Sequence, residues 1–161
     1  MSTGLLWNIL IFYAILIGVN LPAPFLGIEF ESGEKSPLWY APPGWVIPVV
    51  WFVLFALLGT ARSEIQKNTP DTSEADLLLF GLAFLCASYA YYTLGLSKIT
   101  GVSPLWFGLF GNMLVILFCI FVCIRIKTIS PLATGLIFPV AIWTFYATLI
   151  VIGEMKNKAL I

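Results

Sequence analysis

The sequence has few charged residues and no histidine. Only 10% of its 161 residues are charged, 60% are hydrophobic, and the mean hydropathy is +1.00. A soluble domain carries about 25% charged residues, so this chain has too few to cover a water-facing surface. It is predicted to be an integral membrane protein whose main partner is the lipid bilayer. Lys and Arg (8) balance Asp and Glu (8), which argues against nucleic acid as a partner.

The missing histidine also limits the chemistry. It removes the commonest metal ligand and the usual general base. The apolar windows contain no ionisable side chain at their centres, so neither a proton pump nor a membrane protease is expected. We predict no catalytic residue, no metal and no required cofactor. The three cysteines, Cys86, Cys119 and Cys123, lie in apolar runs and are interpreted as core residues.

Charged positions divide the chain into five apolar windows. A charge at the centre of a membrane helix costs about 2.5 to 3.5 kcal/mol, and a helix needs roughly 20 apolar residues to cross the bilayer. The predicted spans are residues 5–27, 43–61, 77–97, 103–124 and 131–153. They predict an all-α membrane protein, a single domain that is a bundle of five transmembrane helices.

The segments around these spans carry their own predictions. Residues 28–42 contain prolines and apolar side chains, so we expect them to lie as an ordered lid over the bundle. Residues 62–76 are predicted to be a polar connector, and Pro139 is expected to bend the fifth span. No Lys or Arg precedes Lys35, so the first window is predicted to be a retained span rather than a cleaved signal.

Lys and Arg do not orient the chain in the membrane. Arg62, Lys67, Arg125 and Lys127 lie on one side of the predicted bundle, and Lys35, Lys98, Lys156 and Lys158 lie on the other. The positive-inside rule compares these two sets. Because they are equal, the rule predicts no orientation.

Tryptophan is abundant, with six residues. Trp7, Trp39, Trp45 and Trp106 lie near predicted span ends, where an indole ring is typical of the membrane interface. Trp51 and Trp143 lie deep in their windows. Each must face lipid or find a partner for its indole N–H inside the bundle, and we favour the interior.

Tyrosines accompany the two deep tryptophans. Tyr89, Tyr91, Tyr92 and Tyr146 lie on the third and fifth spans. Together with Trp51 and Trp143 they would suit a flat, hydrophobic, aromatic ligand, which stacking would attract and which hydroxyl and indole N–H groups would orient. Ordinary helix packing is an equal alternative for the tyrosines.

Small and polar residues inside the spans point to helix packing. Gly81, Ala83, Ala87 and Ala90 would allow close approach to the third span, and we expect that span to form the contact in any homodimer. Asn112 is the one strongly polar residue well inside the fourth span. It is interpreted as an interhelical hydrogen-bonding residue, with a ligand contact as the alternative.

The second span and the segment before it resemble the TspO/MBR family of tryptophan-rich sensory proteins. The residues that match the family motif in order and spacing are Pro42, Pro43, Trp45, Val50, Trp51, Leu54, Phe55, Gly59 and Ala61. In the fifth span, Leu136, Pro139, Trp143 and Ala147 fit a second family pattern, with Tyr146 where Phe is usual.

The chain also departs from the family pattern. It has one extra residue between Trp39 and Pro42, and Pro48 and Val49 replace a Gly-Pro pair. Val140 and Val151 replace a Tyr and an Asn in the fifth span, and the third-span motif is echoed only by Ser88 and Tyr91. The chain is therefore interpreted as a divergent, microbial member.

The resemblance implies a five-helix bundle, often dimeric, with a pocket beneath the first loop for porphyrins, other tetrapyrroles and lipophilic drugs. Family members are linked to transport, stress response and, in some bacteria, light-dependent porphyrin breakdown. We expect a multi-pass protein of a microbial cell membrane that binds a porphyrin-like or haem-like hydrophobic molecule. The alternatives are a ligand-free scaffold or assembly factor and a light-dependent porphyrin-degrading protein. The predicted ligand-binding residues are Trp51, Trp143, Trp39, Tyr91, Tyr146, Pro42, Pro43 and Trp45.

Overall fold

The computed structural model describes residues 3–28, 36 and 38–161, and these residues are helical or lie in short turns. The helices are α1 (Thr3–Asn20), α2 (Val46–Asn68), α3 (Ser73–Ala87), α4 (Leu96–Thr100), α5 (Pro104–Ile126), α6 (Pro131–Ile137) and α7 (Pro139–Asn157). A 3₁₀ turn, Pro24–Leu26, follows α1, and a π-helical segment, Tyr91–Gly95, joins α3 to α4. This part of the chain contains no β-strand, which confirms the all-α prediction.

Four of these helical stretches are long and apolar enough to cross a membrane. They are α1 with the turn after it, α2, α5, and α6 together with α7. A fifth span is completed if α3 is counted with the π-helical segment and α4, which bend by 54° relative to it. The predicted membrane bundle and its multi-pass character are confirmed.

Proline and serine set several of the helix ends. Pro104 and Pro131 are the first residues of α5 and α6, where the missing N–H group has no intrahelical partner to lose. Ser103 and Ser130 precede them, and each hydroxyl oxygen accepts a hydrogen bond from a backbone N–H of the first turn. Pro139 interrupts the fifth span, where α6 ends and α7 begins.

The connector predicted at residues 62–76 is mostly helical. α2 continues to Asn68 and α3 begins at Ser73, so only residues 69–72 are a loop. The reason is that Arg62 and Asp76 pair across the two helices, with 2.8 Å between Nε and Oδ1. Charged residues therefore mark the end of the apolar region here and not the end of the helix.

The helices pack in a closed ring. α1 packs against α2 and α3, α2 against α6, and α5 against α3 and α7. Gly59 permits the closest approach of α1 and α2, because a Cβ atom at this position would lie 2.7 Å from the Cα atom of Ile9. Ala83 and Ala87 are buried within this bundle. The prediction that small residues of the third span face a second copy is therefore wrong for these two, because α3 uses them inside its own protomer.

One end of the bundle is held by a group of polar side chains that we call the polar clamp: Asn8, Arg62, Gln66 and Asp76. The Arg62 guanidinium donates to both Asp76 carboxylate oxygens, at 2.8 and 2.9 Å, and to the Asn8 side-chain oxygen. Asn8 donates in turn to Gln66 at 2.8 Å. The guanidinium also lies 5.1 Å from the centre of the Phe80 ring. The clamp joins α1, α2 and α3.

Candidate functional site

The opposite half of the bundle is rich in aromatic side chains, and we call it the aromatic half: Tyr40, Trp51, Tyr89, Tyr92, Trp143 and Tyr146. Trp51 lies in the first part of α2 and meets Phe55 edge-on, with 6.2 Å between ring centres. Trp143 lies in α7, 5.5 Å from the Tyr146 ring. Both indoles are partly buried and pack against the hydrophobic core.

The two tryptophans lie on helices that take different neighbours. α2 packs along α6, whereas α7 packs along α5. Within the described residues, α2 and α7 form no contact of comparable extent. The break at Pro139 separates the part of the fifth span that adjoins α2 from the part that carries Trp143. The indoles thus belong to two walls of the aromatic half that are not in extended contact.

The end of the first loop, the segment that follows α1 and its 3₁₀ turn, packs on α7 through Leu38 and Tyr40. Tyr146 donates its hydroxyl hydrogen to the Tyr40 carbonyl oxygen at 2.5 Å. A Cβ atom at Gly153 would lie 2.2 Å from the Tyr40 hydroxyl oxygen and 2.8 Å from a Leu38 methyl carbon. A larger residue at this position would require the ends of the Tyr40 and Leu38 side chains to shift. The rest of the predicted lid includes residues 29–35 and 37, which lie outside the described residues, so the lid stays a prediction.

The other predicted ligand-binding residues lie in several places. Trp39 and Trp45 are 94% and 69% exposed, in line with an interfacial position. Pro42 is partly buried and Pro43 is exposed. The Tyr91 hydroxyl donates to the Val19 carbonyl of α1 at 2.7 Å. The structure thus brings Trp143 and Tyr146 together with the loop, and it uses Tyr91 to tie the π-helical segment to α1.

A further wall of the aromatic half lies between the end of α3 and the π-helical segment. Tyr89 and Tyr92 meet edge-on at 5.4 Å. Two glycines of α5 make room for them: a Cβ atom would lie 3.0 Å from the Tyr89 hydroxyl at Gly108 and 2.2 Å from the Tyr92 ring at Gly111. The sequence prediction included Tyr91 in the site and left out Tyr92, because the sequence alone does not show which tyrosine faces α5.

Two buried donors in this wall have no hydrogen-bond partner among the described residues: the Tyr92 hydroxyl and the Asn112 side-chain nitrogen. Asn112 is 2% exposed and lies on α5 directly after Gly111. Its interpretation as an interhelical hydrogen-bonding residue is wrong, because its amide nitrogen donates to no neighbouring helix. The alternative, a ligand contact, stays open.

Two concavities of the described surface lie away from Trp51 and Trp143. One, of about 440 Å³, lies between α1 and α3 and includes Ser88 and Tyr91. The hydroxyl groups of these two residues already donate to the backbone carbonyls of Leu85 and Val19. The other, of about 370 Å³, lies where Glu74 pairs with Arg125 near the polar clamp. Phe84 and Tyr91 line the first concavity, and neither concavity includes Trp51 or Trp143.

Comparison with known proteins gives the family. The model of the TspO/MBR family matches residues 11–154. The chain is similar to the "Tryptophan-rich protein TspO" of Chlorobaculum tepidum, with 26% identity over 84% of this chain and 88% of that protein. It is also similar to the human "Translocator protein", with 27% identity over 76% of this chain and 70% of that protein. No significant match to a solved structure was found. Since the family match spans most of the sequence and agrees with the helical membrane bundle, the chain belongs to the TspO/MBR family.

Proposed function

We propose that this TspO/MBR protein binds a planar hydrophobic ligand of the tetrapyrrole class in its aromatic half, for transport or sensing. The observation that carries the proposal is the pair Trp51 and Trp143. Both are partly buried against the core, on helices that are not in extended contact with each other. An aromatic pair adds about 0.5 to 1.5 kcal/mol beyond the burial of its area. Two indoles on separate walls would each contact a flat ring, one from each side, and would each contribute this stacking energy.

The contacts of the first loop support the proposal. Leu38 and Tyr40 lie on α7 beside Gly153, and Tyr146 holds the Tyr40 backbone through its hydroxyl. A ligand entering between α2 and α7 from this end would displace those two side chains. Tyr146 also contacts Trp143. The surroundings of Tyr146 would therefore change when the ligand binds. The name of the human relative, "Translocator protein", refers to transport, which supports such a role.

The first experiment is a titration of the purified full-length protein with protoporphyrin, followed by tryptophan fluorescence. Changing Trp51 or Trp143 to Phe should weaken binding by up to about tenfold, and changing both should weaken it more. Trp7→Phe is the matched control, since Trp7 is 66% exposed on α1. A double variant that binds like the parent would favour the alternative of a ligand-free scaffold or assembly factor.

Illumination of the same samples tests the light-dependent alternative. An indole is readily oxidised, so loss of bound porphyrin absorbance under light should depend on Trp51 and Trp143 if they act as electron donors. If the absorbance falls equally in the parent and in the Trp51→Phe, Trp143→Phe variant, the breakdown is due to the porphyrin's own photochemistry.

A further inference from the structure

The two unpartnered donors in the aromatic half point to a specific ligand group. The Tyr92 hydroxyl and the Asn112 amide nitrogen are both buried and both lack a hydrogen-bond partner in the described part of the chain. A buried donor without an acceptor is costly, and native structures leave few of them. We propose that Tyr92 and Asn112 form a subsite that binds an uncharged carbonyl oxygen of the hydrophobic ligand. This inference rests on the proposed function.

The position of the two donors supports a shared subsite. The Tyr92 ring lies directly against Gly111, since a Cβ atom there would lie 2.2 Å from the ring and 3.0 Å from the carbon that bears the hydroxyl. Asn112 is the next residue on the buried face of α5. The glycine thus brings a hydroxyl donor from the π-helical segment to the stretch of α5 that carries an amide donor.

Buried hydroxyl groups on α7 and in the π-helical segment donate to local backbone carbonyls. Thr144 and Thr148 are buried on α7, which packs against α5. Each hydroxyl donates to a carbonyl of its own helix, at 2.8 Å. Thr93 likewise donates to the Tyr89 carbonyl at 2.6 Å. Within the described residues, none of these hydroxyl oxygens, nor any other acceptor, receives a hydrogen bond from the Tyr92 hydroxyl or the Asn112 amide nitrogen.

The acceptor is expected to be uncharged. Among the described cationic residues, Arg62 belongs to the polar clamp, Arg125 pairs with Glu74, and Lys98 donates to the Leu26 carbonyl. Lys67, Lys127, Lys156 and Lys158 are exposed. A buried carboxylate needs a cation or several donors to replace its hydration. Two neutral donors match one ketone, ester or amide oxygen much better than a carboxylate.

The experiment compares porphyrins that share a planar ring and differ in carbonyl groups. Octaethylporphyrin has no carbonyl group, whereas protoporphyrin dimethyl ester has two uncharged ones. Asn112→Leu and Tyr92→Phe should each weaken ester binding by about fivefold, the value of one neutral hydrogen bond. Both should leave octaethylporphyrin binding unchanged. An equal effect on both porphyrins, or on neither, would overturn the inference.

Free protoporphyrin tests the charge of the acceptor. Its carboxylates should remain in water, so Asn112→Leu should weaken its binding less than that of the ester. A larger effect on the diacid would overturn the assignment of an uncharged acceptor. If no porphyrin binds the parent protein, the proposed function fails. Benzophenone, a smaller aromatic ketone, then tests the subsite alone: weaker binding by Asn112→Leu supports it, and unchanged binding overturns it.

Thermal stability without ligand separates this subsite from a structural water site. Removing an unsatisfied donor should raise the melting temperature, so Asn112→Leu and Tyr92→Phe should both be more stable than the parent. Asn20→Leu is the matched control, because the Asn20 amide donates to the Leu16 and Ala87 carbonyls and its loss should lower the melting temperature. If Asn112→Leu lowers it as well, a bound water already satisfies Asn112 and the subsite is wrong.

Discussion

The two ends of this bundle use polar side chains in opposite ways. In the polar clamp, Arg62, Asp76 and Asn8 satisfy one another across three helices. In the aromatic half, the Tyr92 hydroxyl and the Asn112 amide nitrogen are buried and donate to nothing in the described structure. The clamp therefore lowers the free energy of the folded bundle, whereas the unpartnered donors raise it. A membrane bundle can hold one end closed by its own hydrogen bonds and keep hydrogen-bonding capacity for another molecule at the other end.

Breaking the clamp should give the largest effect on folding. Arg62→Met leaves Asp76 without its cation, and losing one partner of a buried ion pair costs about 3 to 5 kcal/mol. We expect the lower end of that range, because the Arg62 and Asp76 side chains retain 16% and 20% exposure. The measurement is reversible unfolding in detergent.

The control for this change is Lys67→Ala at the more exposed pair with Glu64. An exposed ion pair contributes about 0 to 1 kcal/mol. If both variants lost the same stability, the clamp would hold the bundle no better than a surface ion pair.

A methyl group at Gly153 should loosen the contact between the first loop and α7, at the end of the bundle opposite the polar clamp. Gly153→Ala places a Cβ atom against the ends of the Tyr40 and Leu38 side chains, so these side chains must shift and we expect the loop to pack less tightly on α7. Overpacking of this kind costs about 1 to 3 kcal/mol. Faster proteolysis of the first loop, with the clamp intact, is the expected result.

Gly135→Ala is the matched control for the loop. It lies in α6, the same span, and a Cβ atom there meets nothing within 4 Å. Alanine should be neutral or slightly stabilising at this helical position. Equal proteolysis of the two variants would mean that the loop does not depend on Gly153.

The smallest effect should come from the loop between α2 and α3, beside the clamp. Hydrogen bonds from the Ser73 backbone N–H and hydroxyl hold the pKa of the exposed Asp71 carboxyl below its usual 3.8. A lowered folded-state pKa contributes stability that is present above 3.8 and is lost as pH falls through the folded value. The Ser73 amide NMR shift should therefore titrate below pH 3.8. In Ser73→Ala, the Asp71 pKa should return toward that value.

Much of the fold was predictable because membrane helices follow simple rules of length and charge. Five apolar windows gave the bundle, and Pro139 gave the interruption of the last span. The helical ends of α2 and α3 beyond the apolar windows were not predictable from charge, because Arg62 and Asp76 pair with each other across the two helices. A single sequence does not show such a pair, and so residues 62–76 were predicted only as a polar connector between two spans.

The candidate site was predictable only in part. Burial arguments and the motif selected Trp51 and Trp143 from the sequence, and their role in binding stays a prediction. Which tyrosine faces which helix depends on the π-helical segment, so Tyr91 and Tyr92 could not be told apart. That the Asn112 amide nitrogen has no partner among the described residues depends on how the helices pack, which the sequence alone does not show.

The π-helical segment Tyr91–Gly95 changes the helical phase of the third span. A π turn holds more residues than an α turn, so it shifts the phase of every residue after it. A helical wheel drawn continuously from Ser73 to Thr100 therefore assigns α4 to the wrong side. Deleting one residue from this segment would restore α-helical phase and rotate Leu96–Thr100 by about 100° relative to α3. The number of residues in this turn, as well as their side-chain chemistry, therefore determines which side of α4 faces the bundle.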